Sequence, residues 1–290
     1  MTAGFDPKHR FANFGLAARR FGGTWRSGVP LAAWSQFARS WPVWLAGSAL
    51  ALFAAFLLDG ASVAWARQLP GPVRYFFDVL TDYGKSAWLL YPTGLFAVVL
   101  LLADWRSVDR RIAAAWTELG ILAGFAFISI AGSGILTNLV KQLIGRGRPI
   151  LFDSEGPFDL DPFQFNYAYA SFPSGHSTTV GALAVVLAVI IPRLRRTAFA
   201  VCALIAISRV AVGAHYPSDI VAGFMVGAAF TWFYALALAA AGIGFAVTPS
   251  GTIKARAVAI RGVFGRSHGL SRASSGLWSA LAGKPRKMSA

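Results

Sequence analysis

AAAWTELGILAGFAFISIAGSGILTNLV, residues 113–140, runs directly into KQLIGRGRP, residues 141–149. The first stretch carries one charge, Glu118, near its start. It exceeds the roughly 20 apolar residues that an α-helix needs to cross a bilayer. The second stretch sets Lys141, Arg146 and Arg148 among two glycines and closes on Pro149. A proline there disfavours helix for the residue before it, so the span should end in a cationic loop. Charge at the end of a membrane helix is costly and prompts a search for function.

Outward from this stretch, apolar segments recur over Val43–Leu58, Ser86–Ala103, Ser177–Ile191, Thr197–Val212 and Ser218–Ile243. Together with Ala113–Val140 they predict an all-α, polytopic membrane bundle of six transmembrane helices. The composition agrees: 56% of residues are hydrophobic and 13% charged, about half the charge of a soluble domain. On this reading residues 1–42 form a basic segment, 43–243 the membrane domain, and 244–290 a basic tail. Phe11–Trp41 and Ile253–Phe264 mix apolar and basic residues. Either reads as an amphipathic helix at the interface, or, for the C-terminal one, as a disordered basic tail. Cys202, the only cysteine, lies in an apolar run and reads as a small buried side chain.

The formal net charge of +15 does not imply nucleic acid, because the cations gather at the ends and in short loops. Lys8, Arg10, Arg19, Arg20, Arg26 and Arg39 precede the first span; Lys254, Arg256, Arg261, Arg266, Arg272, Lys284, Arg286 and Lys287 follow the last. Arg106, Arg110 and Arg111 lie between spans two and three, and Arg193, Arg195 and Arg196 between spans four and five. With six crossings these share one side, which the positive-inside rule makes the cytoplasm. A multi-pass protein of the cell inner membrane is expected, with both termini cytoplasmic and anionic headgroups contacting the basic segments.

Three clusters then fall at outward-facing helix ends: Lys141 to Pro149; Pro173-Ser174-Gly175-His176; and Ser208-Arg209 with His215 and Asp219. Lys141, Arg148 and Arg209 are fixed cations suited to phosphate oxygens. Ser174 and Gly175 open a helix whose N–H groups and dipole favour an anion. His176 and His215 exchange protons near neutral pH. Asp219, four residues after His215, can orient that imidazole across one helical turn. The set reads as a phosphoryl-transfer site with no metal and no cofactor. Arg146 reads as a loop charge, with a secondary phosphate contact as its alternative.

The clusters resemble the signature of the type 2 phosphatidic acid phosphatase family, the lipid phosphate phosphatases: Lys-x6-Arg-Pro, Pro-Ser-Gly-His and Ser-Arg-x5-His-x3-Asp, matched in order from Lys141 to Asp219. The resemblance extends from about Asp78 to Phe230, and Asp82-Tyr83-Gly84-Lys85-Ser86 is similar to bacterial members. It implies that His215 attacks phosphorus to form a phosphohistidine, oriented by Asp219. It implies that His176 protonates the leaving group, and that Lys141, Arg148, Ser174, Gly175 and Arg209 hold the phosphate. The expected substrate is a membrane lipid phosphate or diphosphate, with phosphatidic acid, phosphatidylglycerol phosphate, undecaprenyl diphosphate and lipid A phosphates as candidates. A lipid phosphotransferase would use the same site, and a haloperoxidase shares its type but is largely soluble. A transporter or lipid-binding protein would need neither histidine. Oligomeric state is not legible.

Overall fold

Long apolar runs form helices here, and these continue through several glycines and through Pro92. The computed structural model describes residues 29–249, 251–265 and 269–282. Most of the interfacial helix expected over Phe11–Trp41 lies outside the described residues. So do the basic residues before Val29, Arg266, and Lys284, Arg286 and Lys287 near the end.

The elements, in order, are α1 (Val29–Ala38), α2 (Trp41–Leu57), α3 (Asp59–Arg67), α4 (Gly71–Asp82), α5 (Ala87–Leu102), α6 (Arg110–Ile144), α7 (Phe152–Glu155), α8 (Gly175–Ile190), α9 (Arg195–Ala211), α10 (Pro217–Ala240), β1 (Phe245–Val247), β2 (Ile253–Ala255), α11 (Val258–Phe264) and α12 (Gly269–Ala282). The chain is thus mostly helical, and a helix occupies each of the six apolar segments. Among the described residues three stretches are long and apolar enough to cross a membrane: Gly71–Leu102, Arg110–Ile144 and Pro217–Ala240. The bent pair Leu31–Ala38 and Trp41–Leu57, at 58°, makes a fourth if it is one span. α8 is apolar but shorter, at 16 residues.

Two differences from the sequence reading stand out. α3 and α4 lie in a stretch where periodicity showed no span, and α4 joins α5 in one long apolar passage. The second concerns Ile253–Phe264, expected as one amphipathic helix or as a disordered basic tail. Its first part is instead a strand, with Val247 opposite Ile253 and Phe245 opposite Ala255. Only Val258–Phe264 is helical. The β-branched Ile253 and the bend made by Gly251, at a φ of 78°, favour a hairpin there.

The helices and loops fall into two compact units. One comprises Tyr91–Phe125, Ala235 onward and the described residues up to Ala33. In it Phe245 is fully buried and meets the Phe125 ring at 4.8 Å between centroids. Glu118 accepts hydrogen bonds from the Ala259 and Ile260 N–H groups at the start of α11, at 3.1 and 2.9 Å. A carboxylate suits a helix N-terminus.

The other unit, Trp34–Leu90 with Ala126–Tyr234, contains every residue of the three sequence clusters. Its centre is α8, whose Val180 and Ala184 pack with Cys202, Ile205, Ala206 and Val210 of α9 and Ile220 of α10. Close approach of α8 to α10 depends on glycine. A Cβ on Gly227 would lie 2.0 Å from the Thr178 carbonyl oxygen, and one on Gly223 would lie 2.3 Å from that of Ser174. Thr178 also bonds Thr137 of α6 through their hydroxyls at 2.9 Å. Small residues and buried hydroxyl pairs are how helices pack where hydrocarbon is the solvent. The apolar groups Leu45, Phe53, Phe56, Leu95 and Leu139 stay exposed, as lipid-facing side chains do.

Candidate active site

The loop after α6 is held like a strand. Asp161 N–H donates to Gly145 O at 2.8 Å, Gly147 N–H to Asp159 O at 3.1 Å and Arg148 N–H to Ala168 O at 2.8 Å; Ser171 N–H donates to Arg146 O at 3.0 Å. Gly145 makes the entry, at a φ of 59°, where a Cβ would lie 1.8 Å from the Asp161 carbonyl oxygen. Only glycine fits that turn. The cations on either side are thereby fixed and buried.

Lys141 donates from Nζ to Ala170 O at 2.7 Å. Arg148 donates from Nη1 to the Tyr167 hydroxyl at 2.9 Å and from Nη2 to Ala170 O at 3.1 Å. Its guanidinium lies 3.8 Å from the Tyr167 ring centroid, so Tyr167 belongs to the site as a stacking partner. Arg209, near the end of α9, donates from Nη1 to the Thr81 hydroxyl at 3.0 Å. Nε of Arg148 and Nε of Arg209 are buried with no partner among the described residues. Buried guanidinium donors without acceptors suit an anion between them.

Ser174 is the N-cap of α8, its hydroxyl accepting from the Ser177 N–H at 3.5 Å. Gly175 sits close to Lys141, whose Cε would lie 4.0 Å from a Cβ placed there. His176 follows in the first turn, its ring against Gly84, where a Cβ would lie 3.0 Å from the ring Cδ2. The Asp82–Ser86 run therefore helps shape the site, with Lys85 paired to Asp82 at 2.7 Å on the exposed side.

His215 lies in the loop between α9 and α10, with its Nδ1 3.3 Å from Asp219 Oδ2. That oxygen also accepts from the Tyr216 N–H at 3.0 Å and the Ser171 hydroxyl at 2.5 Å. The Asp219 backbone carbonyl accepts from the Ser174 N–H at 3.0 Å, so the orienting carboxylate and the helix cap share one residue. Burial pushes the His215 imidazole down to about 3, against the opposing hydrogen bond and charge of Asp219. The ring is then neutral at neutral pH. With Nδ1–H turned to Asp219, the lone pair sits on Nε2.

All eight residues singled out in the sequence thus lie in one unit. The sequence reading left out Asp59, Ser171, Ser218 and Thr81; it read Tyr167 as part of an interfacial aromatic belt, with a cover over the site as the alternative, and treated Arg146 as a loop charge. Arg146 is instead 5% exposed and paired at 2.7 Å to both Asp59 and Asp219. The available signal was a lone acid, Asp59, between apolar residues.

Buried cations, an unsatisfied pair of guanidinium nitrogens, a helix N-terminus and a carboxylate-bound neutral histidine define a membrane protein equipped to act on a phosphoryl group. The sequence profile of the PAP2 superfamily matches residues 122–243. A lipid A 1-phosphatase of Rhizobium johnstonii is 40% identical over 207 residues, covering 69% of this chain and 82% of that protein. One of Rhizobium etli is 39% identical over 192 residues, covering 64% and 80%. A solved transmembrane PAP2-type phosphatidylglycerolphosphate phosphatase of Bacillus subtilis is 21% identical at a TM-score of 0.43, covering 72% of this chain and 94% of that one. The chain belongs to the PAP2 superfamily. It is a metal-independent membrane phosphatase, a hydrolase of phosphoric bonds.

Proposed function

We propose that this phosphatase removes phosphate from a lipid through a phosphohistidine on His215, and that its substrate is the 1-phosphate of lipid A. The observation that carries the chemistry is the His215–Asp219 contact beside Arg148 and Lys141, whose charges both act on the His215 ring. The substrate rests on the names of the two Rhizobium relatives.

Nε2 of His215 attacks phosphorus, and the bond from phosphorus to the leaving oxygen breaks. His176 in its protonated form delivers a proton to that oxygen. Asp219 supports the positive charge that forms on the ring. Lys141, Arg148, Arg209, the Ser174 hydroxyl and the Gly175 N–H hold the non-bridging oxygens, whose charge grows as the transition state forms. Water then attacks the phosphohistidine while His176 accepts its proton. The phosphorus–nitrogen bond breaks, releasing inorganic phosphate and restoring both histidines. No step draws on a metal ion.

The same reading gives six membrane passages in the inner membrane, both termini on the cytoplasmic side and the site on the outer face. It rests on the arginines between Leu102 and Ala113 and at 193–196. The deciding experiment measures phosphate release by purified protein in mixed micelles. The panel is lipid A, phosphatidic acid, phosphatidylglycerol phosphate and undecaprenyl diphosphate. Lipid A is expected to give the highest kcat/KM, with release from its 1-position. Preference for another lipid overturns the substrate, and activity on none of them overturns the function.

A further inference from the structure

Arg146 is the cation of the 141–149 run whose donors are all taken. Nη1 donates to Ser218 Oγ and Asp219 Oδ1, each at 2.7 Å. Nη2 donates to Asp59 Oδ2 at 2.7 Å and Pro157 O at 2.6 Å, and Nε to Pro157 O at 3.0 Å. A phosphate contact would break this set. Asp59, fully buried on α3, also accepts from the Ser218 N–H at 3.0 Å and the Ser218 hydroxyl at 2.5 Å. It thereby anchors the first turn of α10, which carries Asp219.

We propose that Arg146 and Asp59 are positioning residues for His215: they hold the Asp219 carboxylate in place and set the charge it presents to the ring. The proposal rests on His215 being the nucleophile. Asp219 Oδ1 is committed to Arg146, which leaves Oδ2 turned toward His215, Ser171 and Tyr216. Rotation of the carboxylate away from His215 would break a buried ion pair, which is strongly destabilising. The groups alternate in charge along the chain of contacts: Asp59, Arg146, Asp219, His215. Around them stand Lys141 on α6, Arg148 in the following loop, and the Tyr216 ring with Arg146 4.5 Å from its centroid. The arrangement is electrostatic as well as mechanical, because each charge is buried and poorly screened.

That alternation yields a test with two opposite signs. Removing the positive charge in Arg146→Gln makes a proton easier to place on the Asp219–His215 pair. Removing the negative charge in Asp59→Asn makes it harder, whichever partner binds it. The acid limb of the kcat/KM profile should move to higher pH in Arg146→Gln and to lower pH in Asp59→Asn, by roughly 0.5–2 units. Both should lose kcat by up to about 100-fold, through misplacement of the nucleophile, with KM little changed. Arg146→Lys keeps the charge but not the fork, so its limb should stay in place while kcat falls. If Arg146→Gln fails to fold, the Asp59→Asn and Arg146→Lys profiles decide alone. Wild-type kcat and an unmoved acid limb in the folded variants, with only a lower unfolding temperature, would reduce the network to a structural brace and overturn the proposal. His215→Ala is assayed alongside. If it keeps full turnover, the phosphohistidine reading itself fails; if it is dead while the network variants are silent, only the positioning role does.

Discussion

At the scale of single residues, the site depends on one ring staying neutral and correctly turned. On the proposed mechanism His215→Ala should lower turnover by several orders of magnitude, since the group proposed to bond phosphorus is gone. Asp219→Asn keeps the shape but not the charge, and an amide can accept the wrong tautomer. A fall on the order of 10³–10⁴-fold in kcat is expected, together with a lower melting temperature in detergent, because buried Arg146 loses one of its two countercharges. The depressed His215 value also couples to stability. The folded ring protonates near pH 3, the unfolded one near its ordinary 6.5. As pH falls through that window the unfolded state binds the proton first, so stability present above about pH 6.5 is progressively lost. The unfolding temperature should therefore drop between pH 6.5 and 4, and drop less in His215→Gln. Equal drops in the two proteins would count against the buried neutral ring.

Among the elements, the contact that matters most joins the N-terminal half of α10 to the cap of α8. Gly223 stands where a side chain would press on the Ser174 backbone, which bonds the Asp219 carbonyl and is proposed to cradle the anion. Gly223→Ala should cost about 1–3 kcal/mol, a typical overpacking penalty, and should weaken phosphate binding. The readouts are the unfolding temperature and inhibition by vanadate, which mimics five-coordinate phosphorus. Unchanged vanadate inhibition would show that the cradle does not depend on this approach. The glycines at 223 and 227 were visible in the sequence, but only as tolerated interruptions of an apolar run. What they face is set by α8, some 50 positions earlier. α3 and α4 were missed for a related reason. Residues 59–82 mix Asp, Arg, Gln and Pro with apolar groups and show no long apolar window, although this region supplies Asp59 and Thr81.

For the whole molecule, the membrane should choose the substrate. Each buried methylene of a lipid tail favours the bound pose by about 0.8 kcal/mol relative to water. A long-chain lipid phosphate should exceed glycerol phosphate or glucose phosphate in kcat/KM by a large factor. The assay varies surface and bulk lipid concentration separately, and equal efficiencies would sink the idea. Activity should also survive excess EDTA, because on the proposed mechanism Lys141, Arg148 and Arg209 would take the place of a divalent ion. A strict magnesium or zinc requirement after chelation would contradict that. Orientation is open to labelling of Ser154→Cys, an exposed position in the short helix α7. Modification from the cytoplasmic side alone would reverse the topology proposed above.

The membrane class, the family and the ordered clusters from Lys141 to Asp219 were all legible along the chain. Apolar length and motif spacing are local properties, readable along the chain. Local spacing also set Asp219 four residues after His215, within reach of the ring, although His215 itself lies in the loop before α10 and not on the helix. Tertiary structure alone decided which charge does what. Arg146 and Arg148 stand two positions apart in one loop and look alike in the sequence. One is locked between two carboxylates, while the other keeps a buried nitrogen without a partner among the described residues. The difference comes from Asp59, 87 positions away on a helix that periodicity did not show. A buried charge takes its role from the countercharge that folding brings to it, and no local pattern records that partner.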